Sequence, residues 1–268
     1  MFSIDDKVVV ITGAASGVGR VTALRFAEAG ARLILADIQN AEELASQTNG
    51  KFVETDVRRE ADVKTLMEKA VATFGKIDVV INNAGILKVS EIQDITEEDI
   101  NAVFDVNYKG TLWGIKHAIP NIKDGGVIIN MASVMGLVGW AGTAIYGASK
   151  AAILQMTKTA ALELTHRKIR VNAVCPGRIQ TPMVAGLTDP ELMEVEMRLH
   201  PLGRECRPEE VAAVYHFLAS DDCTFMTGGA ISLDGAVSSG VGQPILDALW
   251  ERASMVTDGK AVPFYKGA

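Results

Sequence analysis

Short β-branched runs alternate along the chain with stretches whose apolar residues recur at helical spacing. Residues 7–12 form a compact apolar run, and residues 18–28 follow with apolar positions three and four apart, stopped by Gly30. The pairing repeats as a strand over 32–37 with a helix over 41–48, then a strand over 51–55 with a helix over 61–74 and Gly75 behind it. Residues 79–82 read as a fourth strand. The capping pattern Thr96-Glu97-Glu98-Asp99 opens a helix that extends to about Ile122 with a break near Gly110. A strand over 127–131, a helix over 146–165, a strand over 170–175, a helix over 209–219 and a strand over 230–233 complete the series. Seven strands alternating with helices predict an α/β fold: a Rossmann-like, doubly wound parallel seven-stranded sheet with helices on both faces.

Nothing in the composition divides that series. The 268 residues carry no Pro/Ser-rich linker and no fixed-period repeat, so residues 1–235 read as one domain. Residues 236–268 form a C-terminal extension with an expected helix over 245–254 and no strand to join the sheet. A run without Asp, Glu, Lys or Arg covers residues 125–149, long enough to span a bilayer. It contains Asn130, Ser133, Thr143, Ser149 and six glycines, which reads better as a buried strand followed by a loop.

Charge narrows the function classes. With 33 acidic and 26 basic residues and no cluster of Lys and Arg, electrostatic binding to nucleic acid or to an anionic membrane is not expected. The cysteines Cys175, Cys206 and Cys223 lack CxxC spacing, and His117, His166, His200 and His216 are scattered, so neither a disulfide framework nor a metal site is expected. The acidic N-terminal start has no signal-peptide form, and a reducing, cytoplasmic setting fits.

Three local features carry candidate chemistry. The first strand runs into Thr12-Gly13-Ala14-Ala15-Ser16-Gly17-Val18-Gly19 directly before a helix, where glycines permit a tight turn and let backbone N–H groups approach a pyrophosphate. The spacing only half matches the general dinucleotide fingerprint. The second strand ends on Asp37, whose carboxylate can accept hydrogen bonds from ribose hydroxyls and would repel a 2′-phosphate. Ile38, Gln39 and Asn40 follow instead of an arginine, so the end of this strand favours NAD, with Arg20 leaving dual specificity open. Tyr146 and Lys150 lie one helical turn apart on one face, where a fixed ammonium lowers the pKa of a phenol and makes it a usable acid/base.

Taken together, Gly13-x3-Gly17-x-Gly19, Asn82-Asn83-Ala84-Gly85, Ser133, Tyr146-x3-Lys150 and Pro176-Gly177 resemble the short-chain dehydrogenase/reductase family in order and spacing, over residues 5–235. The resemblance implies a catalytic set of Asn107, Ser133, Tyr146 and Lys150. Tyr146 would be the general acid/base, Ser133 would steady the substrate oxygen, Lys150 would hold the nicotinamide ribose, and Asn107 would anchor a water that leads the proton to solvent. It also implies an NAD site. Gly13, Ser16, Gly17, Val18 and Gly19 would cradle the pyrophosphate, with Asp37 and Ile38 at the ribose and Asp56 and Val57 beside the adenine. Asn83, Ala84 and Gly85 would line the cofactor with Tyr146 and Lys150, and Pro176, Gly177, Ile179 and Thr181 would close on the nicotinamide. One departure is mild: Ala132 stands where many relatives carry a second serine.

The loops that would meet substrate are apolar. Alongside Ser133 and Tyr146, the candidates are Met135 and Trp140 from the first loop and Met183, Val184 and Leu187 from the second. They suggest a lipophilic, cyclic or aromatic secondary alcohol or its ketone. A 3-oxoacyl thioester reductase is the competing enzyme reading, and a catalytically silent nucleotide-sensing scaffold the competing non-enzyme. The resemblance further implies a homotetramer or homodimer built on the helices over 101–122 and 146–165. The extension, with Trp250, Phe264 and Tyr265, either caps a neighbour's site, fills an interface or is frayed.

Overall fold

The structure is a computed structural model that describes residues 2–185, 193, 197–242 and 245–247. Seven strands form one parallel sheet in the order β3-β2-β1-β4-β5-β6-β7: β1 (Val8–Thr12), β2 (Arg32–Asp37), β3 (Lys51–Glu54), β4 (Ile77–Asn82), β5 (Ile122–Met131), β6 (Arg170–Pro176) and β7 (Ala230–Leu233). Every residue of β1 and β4 is buried, as strands covered on both faces must be. Alternation divides their side chains between two cores. Val9 and Ile11 face α1 (Gly17–Glu28), α2 (Glu42–Gln47) and α7 (Pro208–Ala219). Val10 and Val80 face α3 (Glu60–Phe74), α5 (Gly110–Ala118) and α6 (Ala144–Glu163).

Element types match the sequence reading throughout, and the charge-free run over 125–149 is indeed strand, loop and the start of α6. Among the described residues no helix is long and apolar enough to cross a membrane. One long helix is corrected. In place of an element reaching Ile122, α4 (Glu97–Val103) passes through a π turn over Phe104–Lys109 into α5, and Ile122 already belongs to β5. The start is as expected, with Thr96 Oγ1 accepting the Asp99 N–H at 3.1 Å. The break lies at Asn107 rather than Gly110, because the buried Asn107 side chain is tied to a loop outside its own helix. Of the C-terminal extension, residues 245–247 are helical; the rest of the expected helix over 245–254, with Trp250, Phe264 and Tyr265, lies outside the described residues.

Candidate active site

The carboxyl ends of the strands open into a cleft of about 450 Å³ where β1 stands between β2 and β4, the point at which the strand order reverses. Gly13, Ser16, Gly17 and Val18 form one wall and Asn83, Ala84 and Gly85 the facing one. Gly13 has φ +66, and a Cβ on it would stand 2.8 Å from Ala84 Cα, so only glycine lets these two turns meet. Asn83 stitches them together: its Nδ2 donates to the Thr12 and Gly13 carbonyls at 3.0 and 3.2 Å. Gly19, expected at the cofactor, does not line the cleft. A Cβ there would collide with the Gly13 carbonyl oxygen, so its part is to let α1 pack against the turn.

At the far end, Asp37 Oδ2 accepts the Ala15 N–H and Oδ1 the Gln39 N–H, each at 2.9 Å. Those bonds fix the carboxylate at the cleft with lone pairs to spare. Ile38, Asp56 and Val57 line the same end as expected, joined by Gln39, Thr55 and Arg58, which the sequence reading passed over. Arg58 donates from Nε and Nη2 to the Asp56 carboxylate at 2.6–3.0 Å, and its hydrogen bonds hold that carboxyl below the usual range. A basic residue two places after an acid already assigned to the cleft was the available signal.

At the near end, α6 presents Tyr146 and Lys150 to the cleft beside Ser133, which follows β5. Lys150 is buried, donates from Nζ to the Met131 carbonyl at 2.9 Å and lies 5.5 Å from the Tyr146 ring centroid. Burial draws its pKa down to about 8. Burial also pushes the Tyr146 phenol above its ordinary value, while a hydrogen bond with the Ser133 hydroxyl works the other way. Against the expectation of a lowered phenol, burial outweighs that bond within this chain. Asn107 stands behind these groups, fully buried and outside the cleft lining. Its Oδ1 accepts the Ile86 N–H at 2.8 Å, and its Nδ2 donates to the Ile86 carbonyl at 3.0 Å and to Ser149 Oγ at 3.1 Å.

Pro176, Gly177, Ile179 and Thr181 close the cleft from the β6 side, where Thr181 Cγ2 lies 3.4 Å from the point a Gly17 Cβ would occupy. Of the expected substrate contacts outside the catalytic set, Met183 lines the cleft. Met135, Trp140 and Val184 do not. Met135 turns into a short helical turn whose N–H bonds back to Ser133 Oγ at 3.2 Å, and Trp140 packs against His200 with ring centroids 6.5 Å apart. Leu187 lies outside the described residues. The apolar lining comes instead from Ile86, Ala102, Val106, Met131, Ala132 and Pro182. Four of these are direct neighbours of assigned residues: Ile86 after Gly85, Val106 before Asn107, Ala132 before Ser133 and Pro182 after Thr181.

Known proteins share this arrangement. The family model described as enoyl-(acyl carrier protein) reductase matches residues 13–238. The chain is 42% identical over 243 residues to the 3-oxoacyl-(acyl-carrier-protein) reductase FabG of Thermotoga maritima, covering 87% of this chain and 98% of that protein. It is 38% identical over 245 residues to the cyclohexanol dehydrogenase of Acinetobacter sp. (strain SE19), covering 88% and 96%. Among solved structures, the 3-ketoacyl-(acyl-carrier-protein) reductase from Brucella melitensis complexed with NADH matches with a TM-score of 0.81 at 34% identity, covering 88% of this chain and 100% of that one. Motifs, sheet order, cleft and relatives agree, and the chain belongs to the short-chain dehydrogenase/reductase family.

Proposed function

We propose that the protein is an NAD-dependent oxidoreductase that interconverts a lipophilic, cyclic or aromatic secondary alcohol and its ketone. The observation that carries the cofactor choice is Asp37, held at the cleft by two backbone amides, where it can accept from ribose hydroxyls and repel a 2′-phosphate. The residues present fit a nicotinamide dinucleotide. The glycine turn leaves room for a pyrophosphate where side chains would intrude, Ile38 and Val57 flank the adenine end, and Pro176 and Thr181 stand at the other. When bound, the nicotinamide supplies the hydride acceptor or donor. Ser133 and Tyr146 hold the substrate oxygen between two hydroxyls, and Tyr146 takes the alcohol proton or returns it to the ketone oxygen. Lys150, whose Nζ lies 5.5 Å from the Tyr146 ring centroid, shares the proton change.

The apolar lining by Ile86, Val106, Pro182 and Met183 supports a lipophilic substrate, as does the likeness to a cyclohexanol dehydrogenase. Reduction of a 3-oxoacyl thioester is the second reading, favoured by the 42% identity to FabG. Because a protein named as a 3-ketoacyl reductase was solved with NADH, cofactor choice does not separate the two readings and substrate does. The test is absorbance of NADH across a panel of cyclic, aryl, sugar and hydroxy-acid alcohols, with NADP and 3-oxoacyl thioesters in parallel. Turnover of cyclic or aryl alcohols with NAD is expected; turnover of thioesters alone replaces this reading with the second. Tyr146→Phe should lower kcat by about 10²–10⁴-fold while NADH binding persists, and preserved turnover would rule out Tyr146 as the acid/base. The reading also places the protein in the cytoplasm as a homotetramer or homodimer, without nucleic-acid or membrane partners.

A further inference from the structure

Ser149 is fully buried on α6, between Tyr146 and Lys150 in sequence, and both hydrogen-bonding capacities of its hydroxyl are engaged. It donates to the Tyr146 carbonyl at 2.7 Å and accepts from Asn107 Nδ2 at 3.1 Å. The remaining groups of the Asn107 side chain go to the backbone of Ile86, and the Asn107 carbonyl accepts from Thr111 Oγ1 at 2.8 Å. Gly85 and Ile86 line the cleft beside the ammonium. A Cβ on Gly85 would stand 3.2 Å from Asn107 Oδ1 and 3.4 Å from Lys150 Nζ. One hydroxyl therefore joins the catalytic helix, the π turn and the cofactor wall.

We propose that Ser149 is a positioning residue for the reaction: its hydroxyl bolts the π turn carrying Asn107 to α6 and so sets the distance between residues 85–86 and Lys150. The inference rests on the oxidoreductase reading above. Alanine at 149 leaves one Asn107 N–H buried without an acceptor, and an unmade buried hydrogen bond is costly. The relief open to the structure is for the π turn to move off α6, which carries the cleft wall away from the ammonium. The titratable groups facing Lys150 are Tyr146 from α6 and Cys175 from β6, while β5 meets it with the Met131 carbonyl. The substitution alters none of them, so a change in the pH profile reports position.

The test uses the full chain and its Ser149→Ala and Ser149→Thr variants, with alcohol oxidation by NAD followed from pH 6 to 10 beside thermal melting. The alanine variant should lose at least tenfold in kcat, raise the KM for NAD at least threefold and displace the rising limb of the pH profile. Threonine, which restores a hydroxyl, should recover most of the loss. Wild-type kcat and limb in the alanine variant overturn the proposal, as does a loss that tracks only the fraction of folded protein. If the alanine variant does not fold, Ser149→Cys, of similar size but weakly hydrogen-bonding, takes its place with the same readouts. If the wild type turns over none of the panel, the oxidoreductase reading fails instead. NADH fluorescence then decides the inference alone: a dissociation constant raised threefold or more by Ser149→Ala supports it, and an unchanged one overturns it.

Discussion

Lys150 and Asp37 sit at opposite ends of the cleft and make separable predictions. For alcohol oxidation the Tyr146–Lys150 pair must give up a proton, and burial has brought Lys150 to about 8. Oxidation should rise with pH through a midpoint near 8, while ketone reduction, which needs the proton, falls over the same range. Lys150→Met removes the lower-pKa partner and leaves a phenol that burial has raised, so the oxidation limb should move to higher pH. A limb that stays in place in rate profiles of the variant would show that Lys150 takes no part in the proton change. Asp37→Ala removes an acceptor of charge-assisted hydrogen bonds, worth about 1.5–3 kcal/mol. The ratio of kcat/KM for NAD over NADP should fall by about 10- to 150-fold; an unchanged ratio would place cofactor choice elsewhere, with Arg58 the next residue to replace.

At the scale of elements, α1 and α7 pack together through Phe26, which is fully buried and lies 5.6 Å from the His216 ring. Phe26→Ala should cost about 3–5 kcal/mol of stability in a denaturant titration while kcat per folded molecule stays the same, because Phe26 itself does not line the cleft. The order of elements was legible because buried strands and amphipathic helices differ in period, and Thr96 and Gly75 mark helix ends by their own chemistry. The π turn was not legible. No residue type announces a π turn, and the bonds that hold this one, between the Asn107 side chain and the Ile86 backbone, go to a partner set by tertiary structure. The same limit applied to substrate contacts. Met135 and Trp140 are as apolar as Met183, but the sequence does not record which way a loop turns, and only Met183 reaches the cleft. Chemistry that depends on a motif's spacing, as at Gly13, Asn83, Tyr146 and Lys150, could be read; chemistry that depends on a long-range contact could not.

For the molecule as a whole, the family match ends at residue 238, and all but the first three residues of the extension lie beyond it. Deleting residues 260–268 should leave KM and the molecular mass from light scattering unchanged. A raised KM would assign those residues to a neighbour's site, and a smaller mass would assign them to an interface. The sheet order also has a temporal side. β1 is made first but lies between β2 and β4, and the second of these begins only at Ile77. At a synthesis rate of about 5–20 residues per second, one edge of β1 waits about 3–13 s for its partner to emerge. During that wait the glycine turn and Asp37 stand without the facing wall of Asn83, Ala84 and Gly85. A ribosome stalled before Ile77 would hold that edge of β1 open to other chains.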